Sequence, residues 1–218
     1  MARNPIQFQP GLSLPAFLEQ YGTEEQCRQV VFEMRWPEGF VCPECGHNRF
    51  CIIQRHHRYQ CNRCGHQTSL TVGTIFEDTK LGLRTWFLAM YLLTQNKQGI
   101  SALQLSRELG VGYNTAWSLK HKLAQAMLER QQAKTLAGRV EMDDAYLGGE
   151  RAGIRGRGSP NKVPFVAAVE TREGRPFYMQ MRRVEGFTQK ALRAYADNSL
   201  AASAHVLSDG LPGFGGSP

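Results

Sequence analysis

Cys42-Pro-Glu-Cys45 and, after a spacer of fifteen residues, Cys61-Asn-Arg-Cys64 decide how this chain is read. Each knuckle sets two thiolates close enough to grip one metal ion, and the spacer can form a small hairpin between them. This is the spacing of a tetrahedral zinc site. Cys42, Cys45, Cys61 and Cys64 are therefore expected to hold a structural Zn²⁺ and to fold residues from about Phe40 to Leu70 as a zinc ribbon. Such a ribbon binds nucleic acid or protein. The other two cysteines read differently. Cys27 lies on an apolar helical stripe as a core thiol, and Cys51 sits inside the hairpin without a partner. His47, His56, His57 and His66 lie in the same region and read as solvated. His47 and His66, two residues past each knuckle, are placed to hydrogen-bond a thiolate.

The 218 residues give room for one or two ordinary domains, and 42% hydrophobic content permits a buried core. A net charge of +7 favours a polyanionic partner, most simply nucleic acid. Met1–Pro10 has no apolar signal-peptide core. The longest apolar run, Trp86–Leu93, falls far short of the roughly 20 residues that span a bilayer. A cytoplasmic protein with no membrane partner follows, in which reduced thiols bind metal.

Around the ribbon the chain reads as helices. Residues 1–12 are an unstructured lead-in. Ser13 caps a helix with Leu14, Phe17, Leu18 and Tyr21 on one face, and Thr23-Glu-Glu-Gln26 is a capping box for a second with Cys27, Val30, Val31 and Met34 inward. Beyond Gly73-Thr74 comes a helix over Leu83–Gln95. Ser101-Ala-Leu-Gln104 is a further capping box opening a helix to Leu109. Gly110-Val111-Gly112 is a tight turn, and a last helix runs from Tyr113 to about Arg130, with Ala116, Leu119, Leu123 and Met127 inward. A capped helix, a Gly-containing turn and a second helix make a helix-turn-helix. Tyr113, Asn114, Thr115 and Ser118 would meet base edges, and Lys120 and Lys122 phosphates.

After a polar joint at 131–138 the period changes to two. In Arg139-Val-Glu-Met-Asp-Asp-Ala145, Glu141 and Asp143 share one strand face. Residues 150–162 form a Gly-rich basic loop. Two strands, 162–170 and 176–184, a helix from about Thr188 to Leu200, and a short strand at 205–208 then deliver Asp209. This order is the opening half of a ribonuclease H-like α/β fold, in which the first and fourth strands lie side by side. Asp143 and Asp209 would then meet and suit Mg²⁺-dependent phosphoryl transfer. Glu141 and Asp144 are rival carboxylates, with Asp144 pointing away if the strand is regular. The expected architecture is multidomain α+β: helices plus zinc ribbon over 1–72, a helix-turn-helix domain over 73–137, and an incomplete ribonuclease H-like domain over 138–218.

Arg35-Trp-Pro-Glu-Gly39, CPECG at 42–46, CNRCG at 61–65, Gly73-Thr-Ile-Phe76, Gly99-Ile-Ser101 and Val140-Glu-Met-Asp-Asp-Ala-Tyr-Leu-Gly-Gly149 together resemble bacterial insertion-sequence transposases with a zinc ribbon, a helix-turn-helix and a DDE-type, integrase-like core. The resemblance implies DNA transposition: binding of the element's terminal inverted repeats by a homo-oligomer at the nucleoid, then Mg²⁺-dependent cleavage and strand transfer. It implies Asp143 as the first catalytic acid and, within Ser208-Asp209-Gly210, Asp209 as the second. The family supplies a third catalytic residue, an acid or Asn, on a later helix. Here Asp209 is followed by nine residues, four of them glycine and two proline. That ending reads as a frameshift or truncation, and the chain alone is expected to be an inactive fragment. The alternative is a zinc-ribbon/helix-turn-helix transcription regulator without catalysis.

Overall fold

The computed structural model describes residues 11–95, 98–148 and 162–209. Most of the lead-in, the basic loop at 150–162 except its last residue, and the tail at 210–218 lie outside the described residues. The chain divides into two compact units, one of Pro10–Ala126 and one taking up the chain from Met127.

The first unit opens with α1 (Leu14–Tyr21) and α2 (Glu24–Arg35). Both starts are local chemistry. Ser13 Oγ accepts from Ala16 N, and Thr23 with Gln26 completes a reciprocal capping box. The ribbon follows as three short antiparallel strands, β1 (Phe50–Ile53), β2 (Arg58–Cys61) and β3 (Gln67–Ser69), in the order β1-β2-β3. Then come α3 (Leu83–Gln95), α4 (Ala102–Leu109) and α5 (Tyr113–Gln132). Ser101 caps α4, but Gln104 turns its side chain to Glu108, so the box expected there is only half made. Gly110 ends α4 in the left-handed conformation at φ 66°, which a glycine adopts without steric cost.

One apolar core gathers Phe17, Cys27, Leu70, Trp86, Leu105 and Leu119, so residues on both sides of position 72 share it. Cys27 is fully buried and donates to Tyr21 O. Burial, then the nearby Glu24 carboxylate, pushes its thiol up to about 11. Two methionines depart from the helical pattern. Met34 is 74% exposed and lines a cavity of about 570 Å³ instead of filling it, and Met127 is 59% exposed because the buried stripe of α5 stops at Leu123.

Glu24 joins α2 to α3. Its two carboxylate oxygens accept from Leu83 N at 2.9 Å and Arg84 N at 3.0 Å, the otherwise unpaired donors of the α3 N-terminus. A Cβ on Gly82 would stand 2.8 Å from Glu24 Oε2, so the glycine leaves room for the carboxylate.

The second unit is a four-stranded sheet with one helix on it. β4 (Arg139–Leu147), β5 (Val163–Arg172) and β6 (Arg175–Arg183) form an antiparallel meander; α6 (Gln189–Ser199) crosses over, and β7 (His205–Leu207) returns parallel to β4. The order β6-β5-β4-β7 is the expected ribonuclease H-like half. Glu173 and Gly174 make the β5–β6 turn with φ of 51° and 71°, the double positive φ that matches strand twist. Val140, Met142, Val166 and Ala168 face α6 through Leu192 and Tyr195.

The polar joint is bonded along its length to this unit. Buried Gln180 donates to Gln131 O and Lys134 O and accepts from Tyr195 OH. Buried Glu170 accepts from Ala137 N, and Leu136 bridges to Leu200.

Glu24→Ala is expected to lower the unfolding free energy by about 1–2 kcal/mol, the scale of a lost helix cap. Gly82→Ala displaces the same carboxylate, so the two changes combined should cost less than their sum. Denaturant unfolding of the four proteins measures this; strict additivity would show that the cap is not shared. Leu136→Ala should cost about 2–5 kcal/mol in the same assay.

Candidate functional site

The four sulfur atoms of Cys42, Cys45, Cys61 and Cys64 lie within 4.8 Å of one another. Two knuckles of the same construction bring them there. Cys42 N donates to His47 O and Cys61 N to His66 O, both at 2.9 Å; Gly46 N donates to Cys42 O and Gly65 N to Cys61 O, both at 3.0 Å. Gly46 and Gly65 take φ of 70° and 74°, which explains the glycine after each CxxC. The Cys42–Cys64 and Cys45–Cys61 sulfur separations are 3.6 Å. Ligands about 2.3 Å from a tetrahedral zinc stand about 3.8 Å apart, so this thiolate set fits Zn²⁺. The N–H groups of Cys64 and Arg63 donate to Cys61 Sγ and hold its thiol down at about 6. The histidines serve through their backbone carbonyls. The His66 ring lies 3.9 Å from Glu44 Oε1.

An aromatic cluster seats the ribbon. Trp36 lies 5.0 Å from Phe40 and 5.4 Å from Tyr59 between ring centres, and Phe32 lies 5.3 Å from Tyr59. Arg35 at the end of α2 donates to Leu70 O and Val72 O, beyond β3.

On α5 the buried stripe is Ala116, Leu119 and Leu123. Tyr113, Asn114, Thr115, Ser118 and Lys122 are exposed, while Lys120 is half-buried beside Leu119. Trp117 and His121, not among the residues expected to meet DNA, stand on the outer face with ring centres 4.0 Å apart. Their spacing of three and seven residues from Asn114 was the available signal.

The second cluster lies at the end of β4. The parallel pairing aligns Arg139 with His205, Val140 with Val206 and Glu141 with Leu207. Carried two residues further, this register sets Asp209 abreast of Asp143. The carboxylates of Asp143, Asp144 and Asp209 lie within 4.8 Å of one another; Asp143 and Asp209 are exposed and Asp144 is half-buried. Glu141 is elsewhere, with its carboxylate 3.1 Å from Arg139 Nη2. Asp144 departs from the regular-strand expectation. β7 stops opposite Glu141, and past that point the burial of β4 no longer alternates cleanly. Three grouped carboxylates are hard oxygen donors of the kind Mg²⁺ takes.

Among the described residues no helix is long and apolar enough to cross a membrane. Residues 22–67 match the transposase zinc-ribbon domain, and residues 135–216 match the ISXO2-like transposase domain. A Halobacterium salinarum protein, described as an uncharacterized protein in transposable element ISH50, is 29% identical over 143 residues, 64% of this chain and 46% of that protein. The chain thus spans about half the length of the curated relative it matches. No solved structure matches it. Ribbon and acid-bearing sheet are matched in turn by two transposase domains, so the chain carries the zinc-ribbon and acid-bearing domains found in insertion-sequence transposases.

Proposed function

We propose that this chain binds the terminal inverted repeats of its element at the nucleoid and carries carboxylates for Mg²⁺-dependent cleavage and strand transfer. The observation that carries the reading is the parallel β4–β7 register, which sets Asp209 abreast of Asp143. The domain division belongs to the same reading: ribbon and helices over 1–72, helix-turn-helix over 73–137, acid-bearing domain over 138–218. A transcription regulator is not favoured, because residues 135–216 match a transposase domain.

Asp143 and Asp209 hold the catalytic cation in this reading, with Asp144 beside them. Bound Mg²⁺ supplies charge stabilisation at the scissile phosphate and lowers the pKa of the attacking hydroxyl. The carboxylates fix where that charge sits, at the exposed end of the sheet where a DNA strand has access. Glu141 is turned toward Arg139 and takes no part. Tyr113, Asn114, Thr115 and Ser118 offer hydrogen bonds to base edges, and Lys120 and Lys122 offer charge to phosphates. The two ends of an element are inverted copies, so two copies of the chain related by a twofold axis match them.

Mn²⁺ titration followed by electron paramagnetic resonance tests the cation site. Asp143→Asn and Asp209→Asn should each weaken binding about tenfold or more, while Glu141→Gln should not; unchanged affinity in Asp143→Asn would count against the reading. In gel-shift measurements Asp143→Asn should still bind terminal-repeat DNA in preference to scrambled DNA. Equal affinity for both would remove the element-end assignment.

The ribbon is tested by zinc analysis. One equivalent of zinc should be bound through Cys42, Cys45, Cys61 and Cys64, and Cys45→Ser should lose most of it. Stripping the metal should shift tryptophan emission as Trp36 leaves the Phe40–Tyr59 cluster, since structural zinc contributes about 10–16 kcal/mol to such folds. Retained ribbon structure in the metal-free chain would refute a structural role.

A further inference from the structure

Beside the outer face of α5 lies a cleft of about 410 Å³. One wall is the segment Thr79-Lys80-Leu81, which leads into α3. The other is α5, through Asn114, Thr115, Ser118 and Lys122; Trp86 and Leu119, both 2% exposed, supply apolar backing. We propose that Lys80 and Lys122 form a two-point clamp on the phosphate backbone of duplex DNA. The inference rests on the reading of α5 as a DNA-binding helix and adds a residue from outside the α4–α5 pair.

Three observations support it. First, the wall that carries Lys80 is anchored. Thr79 Oγ1 accepts from Trp86 Nε1 at 3.0 Å and from Leu81 N at 3.1 Å. The indole belongs to a core residue, so the backbone on both sides of exposed Lys80 is tied to the core. With its lone pairs engaged, the Thr79 hydroxyl can serve a ligand only as a donor. Second, the lining suits an anion. Two lysines are joined by the hydroxyls of Thr79, Thr115 and Ser118 and the amide of Asn114, and among the described residues no carboxylate lines the cleft. The nearest acid in sequence on the α3 side, Asp78, is not part of the lining, and the Glu77 carboxylate accepts from Gly73 N. Third, Asn114, Thr115 and Ser118 are three of the four α5 residues offered to base edges. A clamp sharing its wall with them would set the register of the helix on the duplex, the task phosphate contacts perform.

The ligand chemistry is a phosphodiester, and the commitment is to the backbone of double-stranded DNA. The full chain is titrated with a random-sequence duplex over a range of KCl concentrations, since phosphate contacts do not depend on sequence. Each phosphate neutralised contributes about 0.9 to the slope of log K against log[salt]. Lys80→Gln and Lys122→Gln should each reduce the slope by about 1, and the double change by about 2. Lys80→Arg should restore it. A normal slope in Lys80→Gln, with a reduced one in Lys122→Gln, would overturn the clamp and leave the DNA-binding reading of α5 intact. Normal slopes in both Lys80→Gln and Lys122→Gln would remove the clamp and the phosphate contact of α5 together. Displacement of the duplex by inorganic phosphate at matched ionic strength, in the wild type but not in Lys80→Gln, would identify a small-anion site and overturn the clamp.

Discussion

A zinc ribbon built from strands of four, four and three residues holds its shape through a cross-link, since pieces so short bury little surface of their own. The four sulfurs are that cross-link. Each knuckle closes on a backbone hydrogen bond from a glycine in the left-handed conformation, and in the second knuckle backbone N–H groups also point at the Cys61 sulfur. The metal then closes two loops that were already bent toward it. The aromatic cluster of Trp36, Phe40, Phe50 and Tyr59 depends on this closure, because Phe40 stands just before the first knuckle and Tyr59 just before the second. Through Arg35 and Phe32 the same cluster locks the ribbon to α2. The metal site therefore sets the place of the ribbon in the first unit as well as its internal fold.

A second theme is polar groups placed where backbone donors and acceptors would otherwise be orphaned. Glu24 caps α3 from a distance of about sixty residues along the chain. Glu170 and Gln180, 2% and 1% exposed, serve the stretch between Gln131 and Gly138 in the same way. Buried polar side chains are costly unless satisfied, so each of these contacts fixes one geometry against near alternatives. In the second unit the result is a sheet whose α6 face is closed by apolar packing and whose other face carries Asp143, with Met179 and Met181 exposed there.

The carboxylates owe their meeting to strand order. In a meander followed by a crossover helix, the fourth strand has a free edge of β4 to pair with, and it pairs in parallel. Three residue pairs suffice to fix the register, and the end of β7 leaves Asp209 free to stand beside Asp143. Among the described residues the same ending leaves β4 with a neighbour on one side only past Glu141, and Asp144 joins the cluster there.

Features that close within a few residues were legible along the chain. The CxxC knuckles, the caps at Ser13, Thr23 and Ser101, the span of α3 and the change from period 3.6 to period 2 after residue 138 all depend on neighbours along the chain. The order of strands and helix was also legible, and with it the prospect that Asp143 and Asp209 would meet. The features that needed the folded chain lie between residues far apart in sequence. The grouping of Asp144 with the other two acids, the Glu24 cap on α3, the strapping of residues 131–138 and the nearness of Lys80 to Lys122 leave no periodic trace, because a single side chain placed by packing carries no local pattern. Exposed Met34 and Met127 show the converse. Helical spacing says which side a residue faces, and only the neighbouring elements determine whether anything covers it.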